Sequence, residues 1–277
     1  MPGPKDLDPS TSPRALLGAE LRHARMKAGL TQDELGRPLF VSGSYIGQME
    51  AGTRRILREH AVQLDEVLDT DDFFARNCEV SGKSRYPDHF AEAAEAEAMA
   101  ETIRVYEPLL IPGLLQTEAY ARAVFRAYDP TATEEAINDL VEARLDRARL
   151  LADPTKPLLW TVLDEAVLRR KVEGTKAALR HVADLARRRR IIVQVLTFDA
   201  GAHASLEGPI KLMTFPDAPP LAYLQGLGSG QLEDDPATVT RHALTYDLVR
   251  ASALSPETSL ALIESVAEDD AHGDQQP

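Results

Sequence analysis

Apolar residues recur every three or four positions through the first part of the chain, and this spacing predicts a run of short amphipathic helices. Leu17, Leu21, Ala24 and Ala28 line one helical face, and Gly29 ends that helix. Thr31 opens the next as its N-cap, with Glu34 three residues on completing a capping box. A third helix is expected from near Ser42, and a fourth through Arg58 to Leu68, burying Ala61, Leu64 and Leu68. Asp71-Asp72-Phe73-Phe74 adds a last short helix to the same bundle. Farther on, Ala96, Met99, Ile103 and Tyr106 keep helical spacing, which puts Glu92, Glu95, Glu97 and Glu101 on a solvated face or, in the other reading, on a helix–helix dimer contact. Helices near 117–128 and 133–152 follow an apolar loop bracketed by Pro108 and Pro112.

Beyond Asp153-Pro154 the period changes. Leu158 to Leu163 and Ile191 to Phe198 are short apolar runs rich in Val, Ile and aromatic residues, and a helix from Thr175 to about Arg189 can cross over between them as parallel strands. Ile210 to Phe215 and Leu221 to Gln225 are two further strand candidates around a proline-rich turn. Asp235-Pro236 and Ser255-Pro256 each read as an N-cap followed by proline at N1, starting the two last helices. The expected organisation is a disordered, proline-rich leader at 1–13, a small all-α domain at 14–78 and a polar linker at 79–90. A larger α+β domain with a small mixed sheet follows at 91–267, and then a disordered acidic tail at 268–277.

Composition narrows the function. The 277 residues hold 31 Lys or Arg against 44 Asp or Glu, a net charge of −13, so the chain cannot coat nucleic acid over its whole surface. A local reading face remains open. Between residues 14 and 58 eight basic residues (Arg14, Arg22, Arg25, Lys27, Arg37, Arg54, Arg55, Arg58) face four acidic ones (Glu20, Asp33, Glu34, Glu50), a local charge of +4. One cysteine, Cys78, excludes an internal disulfide and a cysteine-rich zinc site, and no run approaches the roughly 20 apolar residues of a membrane span. A cytoplasmic protein without metal or cofactor is expected.

Gly29-Leu30-Thr31-Gln32-Asp33-Glu34-Leu35 followed by Val41-Ser42-Gly43-Ser44-Tyr45-Ile46-Gly47-Gln48-Met49-Glu50-Ala51-Gly52 resembles the lambda-repressor-like helix-turn-helix of xenobiotic-response-element regulators. The physics agrees, because two short helices crossing steeply need small residues at the turn and apolar pins such as Leu35, Leu39, Ile46 and Met49. The resemblance implies that Gly43, Ser44 and Gln48 reach base edges and that Gln32 bonds phosphate, with Thr31 and Ser42 at the two helix starts. Gln48 is the best sequence reader, since its amide can bond adenine N6 and N7 together. Arg54 and Arg55 are the phosphate-clamp candidates, the other reading being a solvated loop. Arg25 and Glu50 match positions that form a buried structural ion pair in relatives. Pro38 and Gly36 shorten or kink the second helix, and Gly43 offers no side chain to a base, which raises the weight of DNA shape.

Tyr106-Glu107-Pro108-Leu109-Leu110-Ile111-Pro112-Gly113-Leu114-Leu115-Gln116-Thr117-Glu118-Ala119-Tyr120-Ala121-Arg122, with Leu163-Asp164-Glu165-Ala166-Val167-Leu168-Arg169 and Val195-Leu196-Thr197-Phe198-Asp199-Ala200-Gly201-Ala202-His203, is similar to the sensor-like domain of antitoxin-like bacterial regulators. That resemblance implies a transcriptional regulator that binds double-stranded DNA, sometimes with a small partner protein encoded nearby, and a homodimer is expected because one recognition helix covers only a half-site. The alternative is an antitoxin-like protein that restrains such a partner and binds DNA for autoregulation. Glu165, Asp199 and His203 are the candidates for acid–base catalysis, but no nucleophile or metal motif accompanies them, so no enzyme is expected. Gly226 to Gly230 reads as a flexible turn rather than a phosphate loop, because Glu233-Asp234-Asp235 follow where positive charge is wanted. Arg187 to Arg190 reads as a helix C-terminal charge run, with nucleic-acid contact as the other reading.

Overall fold

Proline cannot donate the backbone bond that an α-helix interior requires, and the helix that approaches Pro38 stops short of it. In the computed structural model, which describes residues 13–78, 88–153 and 157–268 together with Pro9 and Thr155, helix α2 covers Gln32–Gly36. The chain then tightens into a 3-10 turn over Arg37–Leu39 and reverses at Phe40, whose φ is +57°. A Cβ at Gly36 would lie 2.5 Å from the Val41 carbonyl oxygen, so this close return excludes alanine there. The expected leader lies outside the described residues apart from Pro9 and Pro13. So do residues 79–87 of the expected linker and the tail after Glu268.

Helix α2 belongs to a bundle with α1 (Pro13–Lys27), α3 (Gly43–Glu50), α4 (Arg58–Leu68) and α5 (Phe73–Asn77). Leu21, Leu35, Ile46, Met49, Leu64 and Phe74 form its fully buried core, placed by the helical spacing of the sequence. The chain divides into two compact units, the first made of residues 1–101, 213–223 and 227–241, the second of 102–212, 224–226 and 242–277.

The first unit therefore takes in more than the bundle. Helix α6 (Asp88–Met99) packs on strand β6 (Ser229–Glu233), and Arg14 of α1 pairs with Glu95 of α6 at 2.9 Å. The glutamates of α6 are accordingly not a uniformly solvated face. Glu97 is fully buried, and Glu92 and Glu95 are each ion-paired and only partly exposed. The charge pattern suggested water as their solvent, whereas neighbouring arginines supply much of their environment instead.

The six-stranded mixed sheet runs β3-β2-β1-β4-β5-β6, larger than the small sheet expected. Its strands are β1 (Thr102–Glu107), β2 (Leu158–Asp164), β3 (Ile191–Leu196), β4 (Ile210–Thr214), β5 (Leu221–Gly226) and β6. In the second unit β1, β2 and β3 are parallel, with Tyr106 opposite Val162 and Val162 opposite Gln194. Helix α10 (Thr175–Arg187) makes the crossover from β2 to β3.

Two segments adopt structures that their sequence pattern does not suggest. Ile103 and Tyr106 do not continue α6, which ends at Met99, because Thr102-Ile103-Arg104-Val105-Tyr106 is β-prone and pairs with β2 over its whole length. The glycine-rich stretch after Gln225 is not merely a flexible turn. Leu227 and Gly228 form a two-residue hairpin connection, and β6 begins at Ser229. A Cβ at Gly230 would lie 2.0 Å from the Tyr223 hydroxyl, so glycine there makes room for a phenol crossing the hairpin.

The remaining helices are α7 (Glu118–Tyr128), α8 (Glu134–Ala148), α9 (Glu165–Arg169), α11 (Pro236–Ser252) and α12 (Pro256–Glu268), the last packed on α10 and β3. Arg187 at the end of α10 reaches Glu264 of α12 at 2.8 Å and Asp184 at 2.9 Å, and Arg190 donates to the Leu151 carbonyl at 3.0 Å. Among the described residues no helix is long and apolar enough to cross a membrane.

Candidate nucleic-acid interface

Two short helices can present a reading surface only if their ends are fixed, and both starts here are capped. Thr31 accepts from the Glu34 backbone at 3.2 Å, while the Glu34 carboxylate accepts from the Thr31 backbone N–H at 2.8 Å. These bonds hold the exposed Glu34 carboxyl below its usual range. Ser42 Oγ accepts from the Tyr45 N–H at 3.0 Å and starts α3. Gly43, the first residue of α3, is buried against the Asp33 side chain.

A buried ion pair locks the three helices together. Arg25 donates to Glu50 through Nε at 2.5 Å and Nη2 at 3.0 Å, and to the Leu30 carbonyl through Nη1 at 2.7 Å. Gln32 Nε2 adds a bond to the same carboxylate at 2.9 Å. Gln32 is thereby tied to the end of α3.

The outer side of α3 carries an unexpected arrangement. Gln48 is fully buried, and its Oε1 accepts from Arg54 Nη1 at 3.2 Å. Arg54 is itself only 5% exposed. Its Nε donates to Glu92 of α6 at 3.2 Å, its Nη1 to Asp234 just beyond β6 at 2.8 Å, and its Nη2 to the Leu232 carbonyl at 3.5 Å. The guanidinium lies over the Tyr45 ring, 3.9 Å from its centroid. Asp234 also bonds the Ser42 side chain at the start of α3. Burial raises the Asp234 carboxyl above its ordinary value although Arg54 and Ser42 oppose the shift. Burial likewise pushes the Tyr45 phenol up to about 12 and lowers His60, whose Nδ1 lies 3.4 Å from the Tyr45 hydroxyl.

Ser44 and Gln48 each keep a polar atom unspent. Ser44 Oγ and Gln48 Nε2 are buried without a hydrogen-bond partner in this arrangement. Arg55 is half-exposed, unlike its neighbour Arg54. The structure thus gathers Ser42, Gln48 and Arg54 around one buried cluster and leaves Arg55 outside it. Sequence reasoning missed Tyr45, Glu92 and Asp234 as members. The signal for the two acids was present as charge, but it pointed to water in one case and against a phosphate loop in the other.

In the second unit the candidates for acid–base chemistry are occupied separately. Burial raises Glu165, but the Phe198 N–H at 3.0 Å and Arg169 Nε at 2.6 Å outweigh it and hold the carboxyl below its usual range. His203 Nδ1 accepts from the Ser205 N–H at 3.3 Å, and its Nε2 lies 3.3 Å from the Tyr106 hydroxyl. Tyr106 in turn donates to Asp164 Oδ2 at 3.3 Å. Burial raises that phenol well above its ordinary value, with the Asp164 charge adding to the shift. Asp199 is exposed on the 3-10 turn Phe198–Ala200. Among the described residues no group of three or more His, Cys, Asp or Glu is placed to hold a metal ion.

A family model described as a helix-turn-helix domain matches residues 16–72, and one described as a domain of unknown function, DUF5753, matches residues 90–265. No curated protein and no solved structure matches the chain.

Proposed function

Since the chain belongs to the DUF5753 family and carries a helix-turn-helix domain ahead of that region, we propose that it is a sequence-specific DNA-binding transcriptional regulator acting as a homodimer. The observation that carries this reading is the locked three-helix frame, in which Arg25, Glu50 and Gln32 fix α3 against α1 and α2. A recognition helix reads DNA only when its orientation is set by such a frame, and one helix covers only a half-site. Two copies related by a two-fold axis supply the second half-site. The DUF5753 region is assigned dimerisation and response to a partner or ligand, through unequal affinity for the reading and non-reading states. No catalysis is assigned to it. Glu165 serves Arg169 and the Phe198 backbone, and His203 serves Tyr106.

The test is binding of the full chain to DNA upstream of its own reading frame over a series of salt concentrations, with Gln48→Ala alongside. Selective, salt-dependent binding that loses its selectivity in the variant supports the reading. Binding to every duplex alike by both proteins refutes it. Sedimentation of the complex gives the stoichiometry, and one copy per site refutes the homodimer.

A further inference from the structure

Arg54, just after the reading helix, and Ser42, which caps it, are bonded here to carboxylates of the same chain. Arg54 and the start of α3 are the two places where this helix-turn-helix would meet phosphate, one a guanidinium and the other the positive end of a helix dipole. Asp234 occupies both, bonded to Arg54 at 2.8 Å and to the Ser42 side chain that caps α3. Glu92 takes the other edge of the same guanidinium at 3.2 Å. A guanidinium binds carboxylate and phosphate through the same planar set of donors, so either anion satisfies it.

The second observation is independent of charge. Gln48 is fully buried, and its Nε2 has no hydrogen-bond partner. Buried side-chain amides normally have their donors satisfied, so a donor left unspent on the proposed reading face points to a ligand that the closed arrangement lacks. A base edge offers the acceptor that this amide needs. Ser44 Oγ, one turn earlier on α3, is in the same condition.

We infer that Glu92 and Asp234 stand in for DNA phosphates and hold the reading face shut, so that DNA binds only when α6 and β6 withdraw from α3. This inference rests on the DNA-binding reading above and adds how that site is controlled. In the closed form Arg54 is neutralised and Gln48 is covered. In the open form Arg54 gains phosphate and Gln48 gains a base edge. The apparent affinity for DNA is then the intrinsic one reduced by the open fraction, and anything that captures α6 or β6 raises it. The occupant is duplex DNA itself, because it alone satisfies the guanidinium, the helix start and the amide together.

The experiment uses the full chain and a random-sequence duplex, compared among wild type, Glu92→Gln/Asp234→Asn, and Glu135→Gln/Asp139→Asn. The last pair makes the same change in charge at exposed positions of α8. The inner pair is expected to tighten binding about tenfold or more, with a salt slope steeper by about one as Arg54 joins the contacts. The outer pair is expected to change it little. Equal tightening by both pairs, or none by either while wild type binds well, overturns the masking and leaves the DNA reading in place. No binding by any of the three proteins either to this duplex or to the DNA upstream of the reading frame overturns the DNA reading and the masking with it. Amide exchange on the wild type serves where the variant fails to fold. Residues 229–234 should exchange faster in the DNA-bound protein, and unchanged protection there overturns the inference.

Discussion

Replacing Arg54 by methionine keeps an unbranched apolar stem over the Tyr45 ring and removes the guanidinium. Glu92 and the Gln48 Oε1 then lose the Arg54 donor, and Asp234 is left with the Ser42 side chain. Hydrogen bonds to charged groups contribute about 1.5–3 kcal/mol each, but three such losses do not add, because Glu92 is 26% exposed and recovers water. Asp234, 17% exposed, recovers less. The cost is therefore set mainly by one stranded carboxylate and one stranded amide oxygen, and we expect about 3 kcal/mol, the lower end for breaking a buried pair.

The pH dependence has a definite sign. Burial already raises the Asp234 carboxyl above its unfolded value, so the native state binds this proton more readily than the unfolded chain. Its contribution to stability is present at pH values below the ordinary aspartate range and is lost as pH rises through the raised native value. Arg54 works against that rise, so its removal lifts the native value further. The deficit of Arg54→Met should accordingly be small in mild acid and reach its full size near neutrality. Urea unfolding with native-state amide exchange at α3 and α4 measures the first unit. The single tryptophan, Trp160, lies in the second unit and follows that unit through fluorescence. Adding Asp234→Asn should return roughly half of the loss. A deficit below about 1 kcal/mol, or one independent of pH, refutes the argument that Arg54 compensates a buried charge.

Arg25→Met leaves Glu50 with only the Gln32 bond to its buried carboxylate and should cost about 3–5 kcal/mol, read as a lower urea midpoint for the bundle. Gly230→Ala forces the Tyr223 phenol out of its place and should cost about 1–3 kcal/mol, with faster amide exchange in β6 as the check. Tyr106→Phe takes the shared hydroxyl from Asp164 and His203, and a loss of about 1–3 kcal/mol is expected by thermal unfolding monitored at Trp160. Thr31→Ala removes the α2 cap and should lower bundle stability by about 1 kcal/mol in the same urea assay.

Much of the fold was legible because period and punctuation agreed. Thr31-x-x-Glu34 announced a cap, Pro38 announced the end of α2, and the Val- and Ile-rich runs announced β2 and β3. Strand β1 was not legible from period alone. Ile103 and Tyr106 are spaced by three, which suits a helix, and only pairing with Leu159 and Val162 decides for a strand. Strand β6 was hidden for a different reason. Ser229-Gly230-Gln231 has little β-propensity, and its place depends on the Tyr223 phenol, seven residues earlier, needing an open neighbour across the folded hairpin.

The candidate site shows the same division between local and distant information. Capping involves residues whose types and spacing already carry the geometry, and the Arg25–Glu50 pair followed from the resemblance to helix-turn-helix regulators, so sequence could place both. The environment of Arg54 could not be placed that way, because Glu92 and Asp234 are 38 and 180 positions away in the chain. A count of charge between residues 14 and 58 finds a positive island and assigns it to an outside anion. The fold brings anions of its own to that island. Local net charge therefore identifies where an anion binds, while the identity of the anion depends on what the rest of the chain delivers there. For Arg54 that gives a competition with a stated direction: raising salt weakens its contacts with DNA phosphates more than those with the partly buried Asp234, so salt favours the closed arrangement.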